Sequence, residues 1–141
     1  MASLQPAFFD TNIVVYQFDR TSPVKEKKSQ ELFEQYIAED KAFISSQVVQ
    51  EFMNVALRKF DTQIPARELK LTIEELLSPI CQHFPTIDYY YRALALFLRE
   101  SISFYDALII QAAIDLGCSI LYSEDLQTGR VYGSVRVKNP F

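Results

Sequence analysis

Glycine is scarce in this chain: 3 residues in 141, at positions 117, 129 and 133. Phosphate-cradling loops of the dinucleotide or P-loop kind need several glycines close together, so both are excluded. Histidine occurs once, at His83, which removes zinc sites built on histidine pairs. The two cysteines, Cys81 and Cys118, form no CxxC and no metal-ligand spacing, and read as reduced, buried small residues of a cytosolic protein. No apolar run approaches the ~20 residues of a membrane helix. The opening Met1-Ala2-Ser3-Leu4-Gln5-Pro6 has no basic leader character. A soluble, cytoplasmic protein with no membrane association is expected. Positive charge is also short: 14 Lys+Arg against 18 Asp+Glu give −4. That is the wrong sign for bulk attraction to phosphate, although carboxylates neutralised by divalent cations reverse it locally.

What the chain has is core material. It is 49% hydrophobic, with 11 Phe and 8 Tyr, and its length suits one domain spanning residues 1–141. Ala7-Phe8-Phe9 reads as a buried strand ending at a helix cap, Asp10-Thr11-Asn12, with a short helix over Ile13 to Phe18. Pro23 opens a helix to Ala38. Ala42-Phe43-Ile44 is a second strand, and Ser45-Ser46 cap a helix from Gln47 to about Lys59. Pro65 starts a more polar helix that Ser78-Pro79 breaks near Leu77. Phe84 to Ile87 is a candidate strand, and Asp88 caps the next helix. Phe104 to Leu116, apolar nearly all round, is a buried helix that Gly117 stops in the left-handed conformation. Ser119 to Tyr122 and Val135-Arg136-Val137 are the last strands. Apolar strands alternating with helices predict an α/β sandwich with a central, mostly parallel sheet flanked by helices.

Ligands in such folds collect outside the carboxyl ends of the strands. Asp10 and Glu124-Asp125 fall at that edge. Glu51, in a mostly apolar helix, and Asp106, in the first turn of the most buried one, are acids with no base beside them. Buried carboxylates must be paired, protonated or bound to a cation, and Mg²⁺ or Mn²⁺ favours oxygen ligands. Taken singly, each acid also has an ordinary structural role. Asp10 and Asp106 suit helix starts, Glu51 a solvent-facing helix side, and Asp125 a polar loop.

Phe9-Asp10-Thr11-Asn12-Ile13, Val48-Val49-Gln50-Glu51-Phe52, Ser103-Phe104-Tyr105-Asp106-Ala107 and Leu121-Tyr122-Ser123-Glu124-Asp125, in that order and spacing, resemble the PIN domain, in particular VapC-type ribonuclease toxins. The resemblance covers nearly the whole chain. It implies a Rossmann-like sandwich whose acidic pocket, from Asp10, Glu51, Asp106 and Asp125, holds Mg²⁺ or Mn²⁺ and hydrolyses RNA to 3′-hydroxyl and 5′-phosphate ends. Asn12 and Ser123 fall where the family carries supporting polar residues. It further implies a homodimer restrained by a small antitoxin protein. The apolar stretches Val14-Val15-Tyr16 and Phe33, Tyr36 and Ile37 are candidate partner surfaces. Lys25, Lys27 and Lys28, then Arg58, Lys59, Arg67 and Lys70, then Arg130, Arg136 and Lys138 are candidate RNA-binding patches, or solvated faces. Two alternatives remain. A haloacid-dehalogenase-like phosphatase also begins with a strand-end Asp, but carries a second acid where this chain has Asn12. A non-catalytic RNA-binding or scaffold module would use the acids only as caps.

Overall fold

The computed structural model describes residues 3–58 and 64–141. Three successive residues with no exposed surface, Ala7–Phe9, form β1. A strand buried on both faces must have neighbours on both sides, and β1 pairs in parallel with β2 (Ala42–Ser45) and with β4 (Ile120–Tyr122). The sheet continues outward to β3 (Cys81–His83) on one side and to β6 (Val135–Lys138) on the other. Its far edge is β5 (Val131–Tyr132), the one antiparallel member, giving the order β3-β2-β1-β4-β6-β5. Connections from β1 run toward β2 and those from β4 toward β6. The carboxyl end of β1 therefore sits at the switch point where such sheets open a crevice.

Helices fill the crossovers: α1 (Thr11–Tyr16), α2 (Pro23–Ala38), α3 (Ser46–Arg58), α4 (Ala66–Thr72), α5 (Ser78–Ile80), α6 (Ile87–Arg99) and α7 (Phe104–Asp115). Side chains alternate across β1. Phe9 meets Phe33 and Tyr36 of α2 and stacks at 5.3 Å on Tyr122 of β4, while the Tyr36 and Tyr122 hydroxyls share a hydrogen bond of 2.8 Å. Every residue of α7 from Ala107 to Ala113 is buried. Gly117, at φ +72°, then turns the chain, as only a residue without Cβ does cheaply.

Several expectations change. The helix from Pro65 does not stop at Ser78-Pro79; α4 passes through a π-helical turn, Ile73–Leu77, into α5 (Ser78–Ile80), which contains Pro79. The third strand is Cys81–His83 and not Phe84 to Ile87, because Phe84 and Ile87 both project into solvent. The cap of α6 is Thr86, whose hydroxyl accepts the Tyr89 N–H, and Asp88 stands in the first turn. β5 has no counterpart in the sequence expectations. Cys118 is buried, but Cys81 is only half-buried, and both are free thiols. Val14, Phe33 and Tyr36 belong to the core and offer no partner surface. Lys59, the expected end of α3, lies outside the described residues. Among the described residues, no helix is long and apolar enough to cross a membrane.

Candidate active site

Asp10 leaves β1 and caps α1: its carboxylate accepts the Thr11 N–H at 2.7 Å, and its own N–H bonds the Tyr122 carbonyl across the sheet. The buried Ser123 hydroxyl, at the end of β4, donates to Asp10 Oδ2 at 2.8 Å. Burial pushes the Asp10 carboxyl up to about 6; the Ser123 and Thr11 hydrogen bonds oppose this, while Glu51 and Asp125 add to it by like-charge repulsion. Thr11 sends its hydroxyl to Glu51 Oε1 on α3 at 2.6 Å. Asn12 Nδ2 donates to Asp125 Oδ2 at 2.9 Å. Asp106 sits in the first turn of α7 behind its cap, Ser103, whose hydroxyl accepts the Asp106 N–H at 3.1 Å.

Asp10, Asn12, Glu51, Asp106 and Asp125 all line one open pocket of about 850 Å³, together with Thr11 and Asp19. Ser123 stands behind Asp10 and does not reach the pocket. Among the described residues, five carboxylates and no Lys, Arg or His border this space. The acids share the pocket but are not drawn together: among the described residues, no three Asp, Glu, His or Cys side chains are gathered closely enough to hold an ion. Asp10, Glu51 and Asp125 are each occupied by a hydroxyl or amide donor of the chain, which is how uncompensated acids relieve mutual repulsion. The donor set still suits a hard divalent cation. It is all oxygen, and Asn12 Oδ1 is buried with no hydrogen-bond partner, an acceptor lacking a donor or a cation.

Thr11 and Asp19 were not anticipated. Thr11 stood in plain view between Asp10 and Asn12, but its role depends on Glu51, forty positions away. Asp19 accepts from the Thr21 N–H and hydroxyl, so much of its carboxylate is already engaged. Glu124 follows the end of β4, at the expected edge, where it pairs with Lys25 at 2.7 Å and accepts from the Tyr16 hydroxyl without lining the pocket. Within the candidate basic patches Lys25, Lys27, Lys70 and Arg130 each pair with a carboxylate, of Glu124, Glu31, Glu74 and Glu100 respectively. Arg130 lines a second recess, of about 620 Å³, which shares Asp106 and Asp125 with the acidic pocket.

An α/β sandwich with a carboxylate-rich pocket at its switch point defines the class of protein. The model of the family described as the PIN domain matches residues 7–133, and the chain belongs to that family. No curated protein matches it by sequence. Among solved structures, it is similar to a toxin–antitoxin complex from Klebsiella pneumoniae (TM-score 0.64, 20% identity, covering 96% of this chain and 98% of that one). It is also similar to Mycobacterium tuberculosis VapC20, a sarcin-ricin loop cleaving toxin (0.61, 19%, 84% and 89%), and to FitAcB from Neisseria gonorrhoeae (0.64, 19%, 95% and 97%). At such identities these likenesses speak for the fold.

Proposed function

We propose that the chain is a Mg²⁺- or Mn²⁺-dependent endoribonuclease, acting as the toxin of a toxin–antitoxin pair. The observation that carries this is the set of carboxylates facing one pocket, with no basic side chain among the described residues there to balance them, at the switch point of a PIN fold. Asp10 and Asp106 would hold the cation centrally, with Asp125 and Glu51 completing its ligands directly or through water. When bound, the ion supplies a more acidic water and neutralises charge building on the phosphate. The chain supplies orientation: Ser123 and the Thr11 amide fix the Asp10 carboxylate, the Thr11 hydroxyl fixes Glu51, and the Asn12 amide fixes Asp125. In the reaction a water oxygen bonds to phosphorus and the bond from phosphorus to O3′ breaks. The departing O3′ takes up a proton, leaving a 3′-hydroxyl and a 5′-phosphate.

Asp106→Asn keeps the size of the side chain and leaves the Ser103 cap in place. Its fold should survive, while Mg²⁺-dependent RNA cleavage falls by orders of magnitude and the rise in melting temperature that Mn²⁺ should give the wild type is lost. An Asn variant that cleaves like the wild type would refute the assignment. The toxin role is supported by the likeness to a chain of a toxin–antitoxin complex. An antitoxin that placed a cationic side chain among these acids would compete with the metal for them. Expression alone should slow growth, and co-expression of a neighbouring small gene should relieve it.

A further inference from the structure

A smaller recess of about 260 Å³ lies against the acidic pocket and shares Gln47, Gln50 and Tyr105 with it as a common wall. Its chemistry is the opposite. Among the described residues, no Lys, Arg, Asp or Glu lines it. Two of its polar groups are already committed: the Tyr89 hydroxyl donates to the Leu108 carbonyl at 2.6 Å, and His83 Nε2 bonds Asp115 at 3.2 Å. What remains is two tyrosine rings, two amides and the hydroxyls of Ser45 and Ser46, the former accepting the Val48 N–H. Tyr90 is 41% exposed and Tyr105 69% exposed. Gln47 and Gln50 stand one turn apart on α3, and Gln47 Nε2 is buried with no hydrogen-bond acceptor among the described residues. A buried donor left unpaired is uncommon and marks a place where an acceptor from outside the chain would be favourable.

A phosphate would find no cation in this recess, and an ammonium group no carboxylate. A flat, uncharged group with acceptors along its edge finds both a ring to stack on and amides to bond. The volume lies just below the ~300–1,000 Å³ of drug-sized ligand sites, which suits one small ring system. We propose that this recess is a nucleobase subsite: it takes the base of a nucleotide flanking the scissile phosphate, stacked on Tyr90 or Tyr105 and bonded by the amides of Gln47 and Gln50. It thereby sets the base preference of cleavage, a role that rests on the endoribonuclease function proposed above. Unstacked RNA bases are bound in this way, by aromatic faces and by hydrogen bonds to their edges.

Two measurements test it. Cleavage of short RNAs randomised around the cut should show a base preference at one flanking position. Tyr90→Leu and Gln47→Leu should flatten that preference and lower kcat/KM on the preferred RNA about tenfold, the order expected for one lost stack. Tyr90→Phe, which keeps the ring, should retain both. Separately, uncharged nucleosides titrated into the metal-free protein should saturably shift the side-chain amide signals of Gln47 and Gln50 in NMR spectra, without any need for catalysis. RNA cleavage with no base preference, or with a preference untouched by both variants, overturns the subsite and leaves the nuclease standing. No RNA cleavage but saturable nucleoside shifts leaves the subsite standing and removes the nuclease. Neither cleavage nor shifts removes both.

Discussion

Ser123 carries two bonds on one hydroxyl, donating to Asp10 Oδ2 and accepting the Leu126 N–H at 3.3 Å, in a position with no exposed surface. Ser123→Ala would leave a buried amide unpaired and take a donor from a carboxyl whose burial already works against its charge. A loss of about 1–3 kcal/mol in urea unfolding is expected, the usual cost of orphaning a buried polar group. The same variant should also bind Mn²⁺ more weakly, since Asp10 would ionise less readily. A variant as stable and as responsive to Mn²⁺ as the wild type would show that the Asp10–Ser123 bond does not support the site. At this scale the sequence was legible where an acid stood isolated among apolar neighbours, as Asp10 and Asp106 do. It was silent on Thr11, Gln47 and Gln50, common polar residues whose significance arises only from what lies across the fold. It was silent too on the Lys25 that pairs with Glu124, since adjacency to Asp125 says nothing about a partner ninety-nine positions away.

Asp115 ties three elements together at the end of α7. It accepts from Arg92 of α6 at 2.6 Å, from Gln111 one turn back at 2.9 Å, and contacts His83 of β3. Burial alone would raise its carboxyl, but the bonds from Arg92, Gln111 and His83 outweigh it and hold it below the ordinary 3.8. A depressed folded value means that stabilisation is complete above the unfolded value and is lost as pH falls through the folded one. Asp115→Asn should therefore cost about 1–3 kcal/mol at neutral pH, in the range of hydrogen bonds to charged groups. Its deficit against the wild type should close once the pH drops below the ordinary Asp value, as thermal unfolding across a pH series would show. A deficit independent of pH would mean that the side chain acts through shape and not charge. Elements with strong periodicity or apolar runs, such as β1 and α7, were readable in advance. Those whose identity rests on distant partners were not: Cys81–His83 has little strand character of its own, and two-residue β5 exists because β6 lies beside it.

At the scale of the whole molecule, the expected sandwich and its parallel sheet follow from alternating apolar runs and helical stretches, but the expected partner surface does not. Aromatic abundance suggested exposed rings near Val14 and Phe33. Val14, Phe33 and Tyr36 fill the core, Val15 and Tyr16 are half-buried and Ile37 is exposed, while the larger apolar surplus lies on α6. Ile87, Tyr91, Leu94 and Leu98 are all exposed, Leu98 at 74%, at positions i, i+4, i+7 and i+11 of the helix, while Tyr89, Ala93 and Leu96 face inward. A regular apolar stripe on the outer side of a helix is the pattern that packs against another helix. In a two-fold dimer the same stripe meets itself, so a second copy of this chain is a self-complementary occupant. We therefore expect the wild type to run as a dimer in light scattering at micromolar concentration. Leu94→Glu with Leu98→Glu, both at exposed positions, should give a monomer with unchanged circular dichroism, because opposed like charges would have to be buried at the contact. A wild type that is monomeric, or a double variant that still dimerises, would remove α6 as the interface while leaving the acidic pocket and its chemistry untouched.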